Sequence, residues 1–182
     1  MLRYLTPIAL CIALAACAGG PVGNPEVPEP SKVVELPRYL GLWHEFARYE
    51  NRFEKGCEGV TAEYALRPDG LVSVRNTCRK GGVDGPAEVA EGKARLTGDP
   101  KGAKLKVSFF GPFFFGDYQV LDRAEDYSWA IVGDESGRFL WILTRAAVPA
   151  PEVRATILER TRALGYDLKL LRFTKQPPGT PA

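Results

Sequence analysis

The sequence predicts a mostly β protein in which eight short antiparallel strands are followed by one α-helix and a short final strand. Apolar or alternating runs recur roughly every 8 to 14 residues between residues 41 and 145. Turn-forming clusters such as Pro68-Asp69-Gly70 and Gly133-Asp134-Glu135-Ser136-Gly137 separate them. A helical pattern appears only after the eighth run. Short strands joined by hairpins indicate an antiparallel meander, either closed into a barrel or stacked as a sandwich.

Residues 1–16 are predicted to be a secretory signal. They combine a positive charge at Arg3 with an apolar run that is too short to span a membrane. The junction Leu14-Ala15-Ala16-Cys17 resembles a bacterial lipobox, which implies lipid attachment at Cys17. An ordinary cleaved signal with an incidental Cys17 is the alternative. Two or more acyl chains would hold the mature protein on a membrane. Ala18 rather than Asp follows the cysteine, and the resemblance to enterobacterial sorting rules implies the outer membrane, with the domain in the periplasm.

Residues 17–32 are predicted to be a tether. From Ala18 to Ser31 the chain is rich in Pro and Gly and has no apolar periodicity. At ~3.1 Å per residue in a polyproline-like state, the segment would reach roughly 40 Å. The globular domain, predicted at residues 33–176, would then move near the membrane without lying on it. Residues 177–182 would form a C-terminal tail.

The first predicted strand, Gly41–Arg48, carries a carboxylate beside a tryptophan. Regular alternation places Trp43, Glu45 and Ala47 on one face and Arg48 on the other. Such a face belongs either to a half-buried strand with a solvated Glu or to a barrel with a partly polar, ligand-holding interior. The strands that follow are predicted at residues 59–66, 71–78, 88–97, 104–109, 116–123, 127–133 and 138–145.

The predicted helix runs from Pro151 to Leu164. Pro151 suits the first helical turn, Glu152 the positive end of the helix dipole, and Gly165 the C-terminal stop. One side of the helix is apolar, which predicts packing against the sheet. The apolar run Leu168–Phe173 then predicts one last strand.

Three segments resemble the signatures of the lipocalin family. Gly41-Leu42-Trp43 resembles the first, Asp126-Tyr127 the second and Leu140-Trp141-Ile142-Leu143-Thr144-Arg145 the third, and Leu105–Phe113 is similar to the bacterial outer-membrane members. The resemblance covers most of residues 36–176. It implies an eight-stranded antiparallel up-and-down barrel with the helix packed on the outside. It also implies that Arg145 stacks on Trp43 at the closed end, a cation–π contact of ~1 to 2 kcal/mol.

The interior of such a barrel is the predicted ligand site. The first strand is taken to run from the closed floor to the open mouth. Period-2 alternation then places small and tyrosine side chains inside the barrel, together with Leu140 and Ile142. Trp129 and Trp141 are predicted to lie outside. This composition indicates a pocket for an amphiphile, and a filled core is the alternative. The candidate ligand contacts are Glu45, Ala47, Tyr49, Ala62, Tyr64, Val74, Asn76, Ala94, Val107, Phe109, Phe113, Phe114 and Tyr118.

The loop after the fifth strand, Phe110-Gly111-Pro112-Phe113-Phe114-Phe115, contains four phenylalanines in six residues. An exposed apolar patch of this kind promotes association. The loop is therefore predicted to be a lip that guides acyl chains into the barrel or touches a membrane or a partner, a homodimer included. Folding back over the core is the alternative.

The remaining cysteines, Cys57 and Cys78, form an even pair in an oxidising compartment, which predicts a disulfide. The hairpin register places Cys78 opposite Gly59 and Cys57 one diagonal step away, so a bulge or a splay at the strand end is needed to bring the sulfurs together. A formal charge of +2 without a basic run argues against nucleic acid. The chain has one histidine, His44, which is predicted to face outward. No catalytic residue, metal site or cofactor is predicted.

Together these patterns predict a membrane-anchored lipocalin that binds fatty acids, lysophospholipids or similar amphiphiles. The resemblance implies a role in membrane maintenance or stress response of the bacterial envelope. The competing prediction is a structural envelope lipoprotein with a filled barrel and a protein partner on the Phe-rich loop.

Overall fold

The computed structural model describes residues 21–178 and has the predicted order of strands and helix. The predicted signal peptide and Cys17 lie outside the described residues. A short helix that the sequence analysis did not predict precedes the first strand. The elements are α1 (Leu36–Tyr39), β1 (Gly41–Tyr49), β2 (Cys57–Leu66), β3 (Val72–Lys80), β4 (Ala87–Leu96), β5 (Lys104–Ser108), β6 (Gly116–Arg123), β7 (Trp129–Gly133), β8 (Leu140–Thr144), α2 (Pro151–Ala163) and β9 (Leu171–Phe173).

The strands close into a barrel rather than a sandwich. Each strand from β2 to β8 pairs with the next, and β1 pairs with both β8 and β2. The direct β1–β2 ladder covers only the floor half, residues 41–44 with 61–64. Toward the mouth, β9 pairs with β1, and Gly59 N in β2 donates to Lys175 O at 2.7 Å. The C-terminal segment therefore fills the mouth half of the seam between β1 and β2.

Helix α2 packs on the outside of β6, β7 and β8. Its side chain Ile157 is fully buried against the outward residues Leu121, Ile131 and Ile142. Since the inner face of these strands is also apolar, every residue of β7 is buried. This explains why β7 and β8 read as continuous apolar runs without alternation. The first half of the predicted final strand, Leu168–Leu170, is a 3-10 helix.

A β-bulge in β1 changes which side chains face the interior. Glu45 pairs with Leu143, but Ala47 pairs with Ile142, so Phe46 is an extra residue in the strand. Phe46 and Ala47 consequently both face outward. Beyond the bulge the alternation is reversed.

The prediction that Ala47 and Tyr49 face the interior is therefore wrong. Both residues pack in the cluster beneath α2, and the Tyr49 hydroxyl donates to Asp167 O at 2.9 Å. Arg48, which was predicted to face outward, is inside instead and is fully buried. Regular alternation cannot reveal a bulge, because one extra residue leaves the apolar composition unchanged.

The assignments in β8 are also reversed. Leu140 and Ile142 belong to the outer cluster beneath α2, whereas Trp141 packs against the interior cluster. Trp129 lies outside, as predicted. Because β8 is apolar on both faces, its sequence contains no polar position that would show which alternate residues face the interior.

Arg145 caps the closed end of the barrel. Its guanidinium carbon lies 3.8 Å from the centre of the Trp43 ring, which is the contact that the resemblance implies. The same guanidinium donates to the carbonyl oxygens of Leu42 and Leu40 at 2.6 and 2.8 Å. Gly41 has a φ of 94°, a conformation that favours glycine.

The second signature forms the neighbouring floor turn. The Tyr127 ring lies between the guanidinium groups of Arg38 and Arg123, 4.3 and 4.2 Å from the ring centre. Asp126 Oδ1 accepts a hydrogen bond from Ser128 N at 2.9 Å. Tyr127 itself has a φ of 62°, which is uncommon for a residue other than glycine.

The disulfide between Cys57 and Cys78 is confirmed. The two Cα atoms are 5.3 Å apart. Cys57 pairs with Lys80, and the β2–β3 register shifts between Glu58 and Thr61. This bulge brings the two cysteines together at the mouth end of the hairpin.

The segment predicted as a free tether is packed on the barrel from residue 23 onward. Lys101 Nζ donates to Pro30 O at 2.6 Å, Lys104 forms an ion pair with Glu29 at 2.7 Å, and Val34 N donates to Lys101 O at 2.7 Å. A Pro-rich segment is already stiff and offers free carbonyl groups, so it loses little entropy when it docks. Within residues 21–178, the helices are too short or too polar to cross a membrane.

Candidate functional site

Three tyrosines meet inside the barrel, just above the floor. The Tyr118 hydroxyl lies 2.7 Å from that of Tyr39 and 3.0 Å from that of Tyr64. Burial raises the pKa of Tyr64 to about 12 and the pKa values of the other two well above the usual range. All three hydroxyls are therefore neutral at physiological pH. Among residues 21–178 their two mutual hydrogen bonds use two of the three hydroxyl hydrogens, so one can be donated to a ligand oxygen.

The wall around the tyrosines is apolar and made of small side chains. Ala62, Val74 and Ala94 are buried in the interior cluster, and Val107 packs against it. Asn76 pairs with Ala62 across the sheet and shares its inward face. These positions and the two tyrosines Tyr64 and Tyr118 face inward, as predicted.

The interior is accessible on the side of β3 to β6, toward the mouth. Here the inward residues Asn76, Gly92, Val107 and Tyr118 are only half-buried, and Ala90, which pairs with Asn76, is exposed. The Oδ1 atom of Asn76 is buried and has no hydrogen-bond partner within the described part of the chain. It is available to a polar group that enters from this side.

Phe109 is placed over the same opening by a glycine. Gly92 lies directly opposite it, and a Cβ on Gly92 would come within 2.8 Å of the Phe109 ring and 2.7 Å of Ser108 O. Only glycine therefore lets the ring approach the strand this closely. The position agrees with the predicted inward orientation of Phe109.

The opposite side of the interior, beside β1 and β9, is filled by a buried ion pair. Arg48 Nη1 donates to Glu45 Oε1 at 2.6 Å, and Thr174 Oγ1 donates to the same oxygen. Both charged side chains are 1% exposed or less. Burial raises the pKa of Glu45 to about 8; the charge of Glu54 acts in the same direction, and Arg48 opposes it.

The loop between β1 and β2 is tied over this pair. Arg48 Nη2 donates to Glu54 O at 2.8 Å, and Trp141 Nε1 donates to Glu54 Oε2 at 2.8 Å. Glu45 is among the site residues that the sequence predicts, whereas Arg48, Trp141 and Thr174 are not. The only signal in the sequence is a carboxylate and an arginine three residues apart in an apolar strand, which can pair inside only across a bulge.

The Phe-rich loop lies at the mouth and is largely exposed. Phe110, Phe113 and Phe115 are 87%, 62% and 83% exposed, and the last two rings stack with their centres 5.5 Å apart. Phe114 instead lies over Lys93 and Arg95.

The cations under Phe114 are on the outer face of β4, because they are out of phase with the buried inward Ala94. The prediction that Phe114 lines the interior is therefore wrong. Its ring is drawn to the cations on the outside of the sheet. Ligand contact by Phe113 stays a prediction.

A cavity of about 550 Å³ borders β2, β3 and β4. Its lining combines the inward residues Val74, Gly92 and Phe109 with charged residues of the outer face. On that outer face Arg75 lies 4.0 Å from Glu63 and 4.0 Å from Glu91. The lining residues are Glu63, Ala65, Arg67, Ser73, Val74, Arg75, Glu91, Gly92, Lys93, Ser108, Phe109 and Gly111.

The single histidine is remote from this interior. His44 pairs with Thr144 and lies on the outer face, where burial lowers its pKa. Within residues 21–178, no group of three or more His, Cys, Asp or Glu side chains is arranged to hold a metal ion.

The arrangement of barrel, floor cap and outer helix matches a known family. A model of the lipocalin-like domain matches residues 34–176. The outer membrane lipoprotein Blc of Escherichia coli K12 is 42% identical over 184 residues, covering 97% of this chain and 99% of that protein. The protein of the same name from Vibrio cholerae is 39% identical over 173 residues, covering 93% and 96%. Insecticyanin from the tobacco hornworm Manduca sexta shares the fold at 23% identity, with a TM-score of 0.66 over 88% of this chain and 89% of that one. The chain therefore belongs to the lipocalin family.

Proposed function

We propose that this protein is a lipid-anchored lipocalin that binds a single-chain amphiphile, such as a fatty acid or a lysophospholipid, inside its barrel. One observation carries the proposal: the interior is divided into a filled polar half beside β1 and an accessible apolar half beside β3 to β6. Half-buried Gly92 and Val107 and exposed Ala90 line the accessible half, and the small buried side chains Ala62 and Ala94 lie behind them. An acyl chain fits such a wall better than a polar metabolite does.

Two polar groups suit the head of an amphiphile. The third hydroxyl hydrogen of the tyrosine cluster can be donated to an ester or carboxyl oxygen, and the unpartnered Oδ1 atom of Asn76 can accept a hydrogen bond from a ligand hydroxyl. Neutral groups of this kind hold a polar head without a full counter-charge. Burial of about 12 methylenes at ~0.8 kcal/mol each stabilises the complex by roughly 10 kcal/mol before ordering costs are subtracted.

The sequence and the relatives support the proposed membrane location. Similar proteins are named outer membrane lipoproteins, and Leu14-Ala15-Ala16-Cys17 has the composition of a lipobox. We therefore assign residues 1–16 to a signal peptide, Cys17 to lipid attachment, and the barrel to the periplasmic side of the outer membrane. A role in membrane maintenance would use reversible capture of amphiphiles rather than catalysis.

The proposal is tested with two variants on one strand. Ala90 and Val89 are neighbours in β4, both exposed near the mouth, and they point to opposite faces of the sheet. Ala90→Trp should obstruct the accessible half and weaken lysophospholipid binding about tenfold, whereas Val89→Trp should not. Binding is measured by native mass spectrometry and by tryptophan fluorescence after delipidation.

The result also decides between the two predicted functions. No uptake of any amphiphile by the well-folded, delipidated protein would contradict the carrier function. It would favour the structural lipoprotein that holds a protein partner on the Phe-rich loop. Equal loss of binding in both variants would place the ligand elsewhere than the barrel interior.

A further inference from the structure

The segment that leads to the proposed lipid anchor is fixed at the mouth of the barrel. Gly23 N and Asn24 N donate to Gly137 O, at 3.0 and 3.2 Å, in the hairpin between β7 and β8. Asp167 N donates to Gly23 O at 3.0 Å, and Asn24 Nδ2 donates to Leu164 O at 2.8 Å. Asn24 is only 2% exposed. The β7–β8 hairpin is one of the four mouth loops, so the chain enters the domain at this end.

A glycine makes this attachment tight. A Cβ on Gly23 would lie 2.1 Å from Cε2 of Tyr49, at the mouth end of β1. Two residues earlier, Pro21 lines a small cavity together with Tyr49, Glu50, Arg138 and Leu170. Pro21 is therefore at the rim, beside the loop that follows β1.

The reach of the anchor from this point is short. Four peptide steps separate Pro21 from Cys17, and a fully extended chain covers at most ~14 Å over that distance. If Cys17 carries the lipid, as proposed above, the rim cannot be farther than this from the membrane surface. A free tether would have imposed no such limit.

The same end carries the exposed phenylalanines. Phe110, Phe113 and Phe115 project from the β5–β6 loop, and Phe53, which is 63% exposed, projects from the β1–β2 loop. Arg52 lies 4.8 Å from the centre of the Phe53 ring, and Lys55 is exposed in the same loop. Aromatic rings flanked by cations are suited to the interface of an anionic bilayer.

The exposed apolar residues of the floor differ from this set. Leu42, Leu66 and Leu96 are 45 to 59% exposed, but they are single aliphatic side chains on separate strand ends. Scattered residues of this kind are normal on a protein surface. The four phenylalanines of the mouth, by contrast, share one end with the anchor.

We infer that the protein sits on the membrane with its mouth toward the bilayer, and that Phe53, Phe110, Phe113 and Phe115 form a second contact that enters the lipid interface. This inference rests on the proposed lipid attachment at Cys17 and extends the proposed function. In this orientation an amphiphile passes from the bilayer into the accessible half of the barrel without crossing bulk water.

The orientation is tested on the acylated protein in vesicles of phosphatidylethanolamine and phosphatidylglycerol that contain brominated acyl chains. Phe110→Trp reports on the mouth, and Leu66→Trp, exposed at the floor end of β2, is the matched control. The quenching of the three native tryptophans is measured on the parent protein and subtracted from that of each variant. Quenching of the Phe110→Trp reporter should exceed that of the Leu66→Trp reporter by at least about twofold.

Equal quenching of the two reporters, or none, would overturn the inference. A second outcome would also overturn the inference: the triple variant Phe110→Ser/Phe113→Ser/Phe115→Ser loses a dimer that the parent protein forms, and the two reporters show no difference in quenching by lipid. A second copy of the chain would then be what covers the four exposed phenylalanines. The mass of the same purified sample reports acylation separately. An unacylated Cys17 contradicts the lipoprotein proposal, whereas quenching of Phe110→Trp by vesicles added to that sample would still support the contact through the rim.

Discussion

Replacing Arg48 with methionine removes one partner of a buried ion pair and leaves the other in place. The Arg48 side chain is fully buried, and its hydrogen bonds reach Glu45, Thr174 and the carbonyl oxygen of Glu54. Methionine has a similar reach but no donors. The buried Glu45 side chain would then either carry an uncompensated charge or take up a proton at pH 7, and breaking such a pair typically costs 3 to 5 kcal/mol, so we expect a loss of about 4 kcal/mol.

The second half of the prediction concerns Glu45. Adding Glu45→Gln to the Arg48→Met variant removes the unpaired carboxyl group and should restore more than half of the lost free energy, because the folded interior then needs neither a buried charge nor the uptake of a proton. The free energy of unfolding of the parent, the two single variants and the double variant is measured by urea unfolding, followed by tryptophan fluorescence, with the disulfide kept intact.

The pH dependence gives an independent check of the cause. Burial already raises the pKa of Glu45 to about 8, and removal of Arg48 takes away an influence that lowers it. A carboxyl whose pKa is raised by folding contributes stability below the pKa of the unfolded chain and loses that contribution as the pH rises through the folded value. The Arg48→Met penalty, relative to the double variant, should therefore be small at pH 5 and grow toward pH 9.

Two outcomes would refute this reasoning. A loss below about 1 kcal/mol for Arg48→Met would mean that the pair is solvated. A penalty independent of pH, with no recovery in the double variant, would mean that the cost comes from packing rather than from the charge left on Glu45.

Two further predictions concern the ends of the barrel. Cys57→Ala/Cys78→Ala should lower the free energy of unfolding by about 3 kcal/mol, since the disulfide spans 21 residues. The reduced parent protein is the control, and an unchanged midpoint of urea unfolding would contradict the prediction. Arg145→Met should cost about 2 to 4 kcal/mol and change Trp43 fluorescence, because the ring stacking and the bonds to floor carbonyls are lost together. Arg145→Lys should recover only a small part of that loss, because lysine lacks the planar fork.

The sequence predicts the architecture well because its signals are local. Hairpin glycines and prolines mark the strand ends, and the helix from Pro151 has its own start and stop signals. The floor was predictable through Trp43 and Arg145, whose contact is present. Each of these features depends on residues that are close in the chain or that belong to a recognisable motif.

The candidate site was predicted less completely, for two physical reasons. The bulge at Phe46 reverses the inward face within one strand, so Tyr49 was placed inside and Arg48 outside. In β8 the outer face is covered by α2, so neither face is polar, and the sequence could not show that Trp141 faces the interior. Which side chains of a strand face the interior depends on how the strand pairs with distant strands, and composition alone does not determine it.

The seam between β1 and β2 has a consequence for folding. Only four residue pairs join these two strands directly, and their mouth halves are bridged by residues close to the C-terminus. The closing contacts therefore join parts of the chain more than 100 residues apart, and contacts of this kind form late because the loop-closure entropy must be lost first. A chain in which β9 is not yet paired keeps an open seam between the mouth halves of β1 and β2. Docking of residues 171–175 is thus the step that completes the barrel.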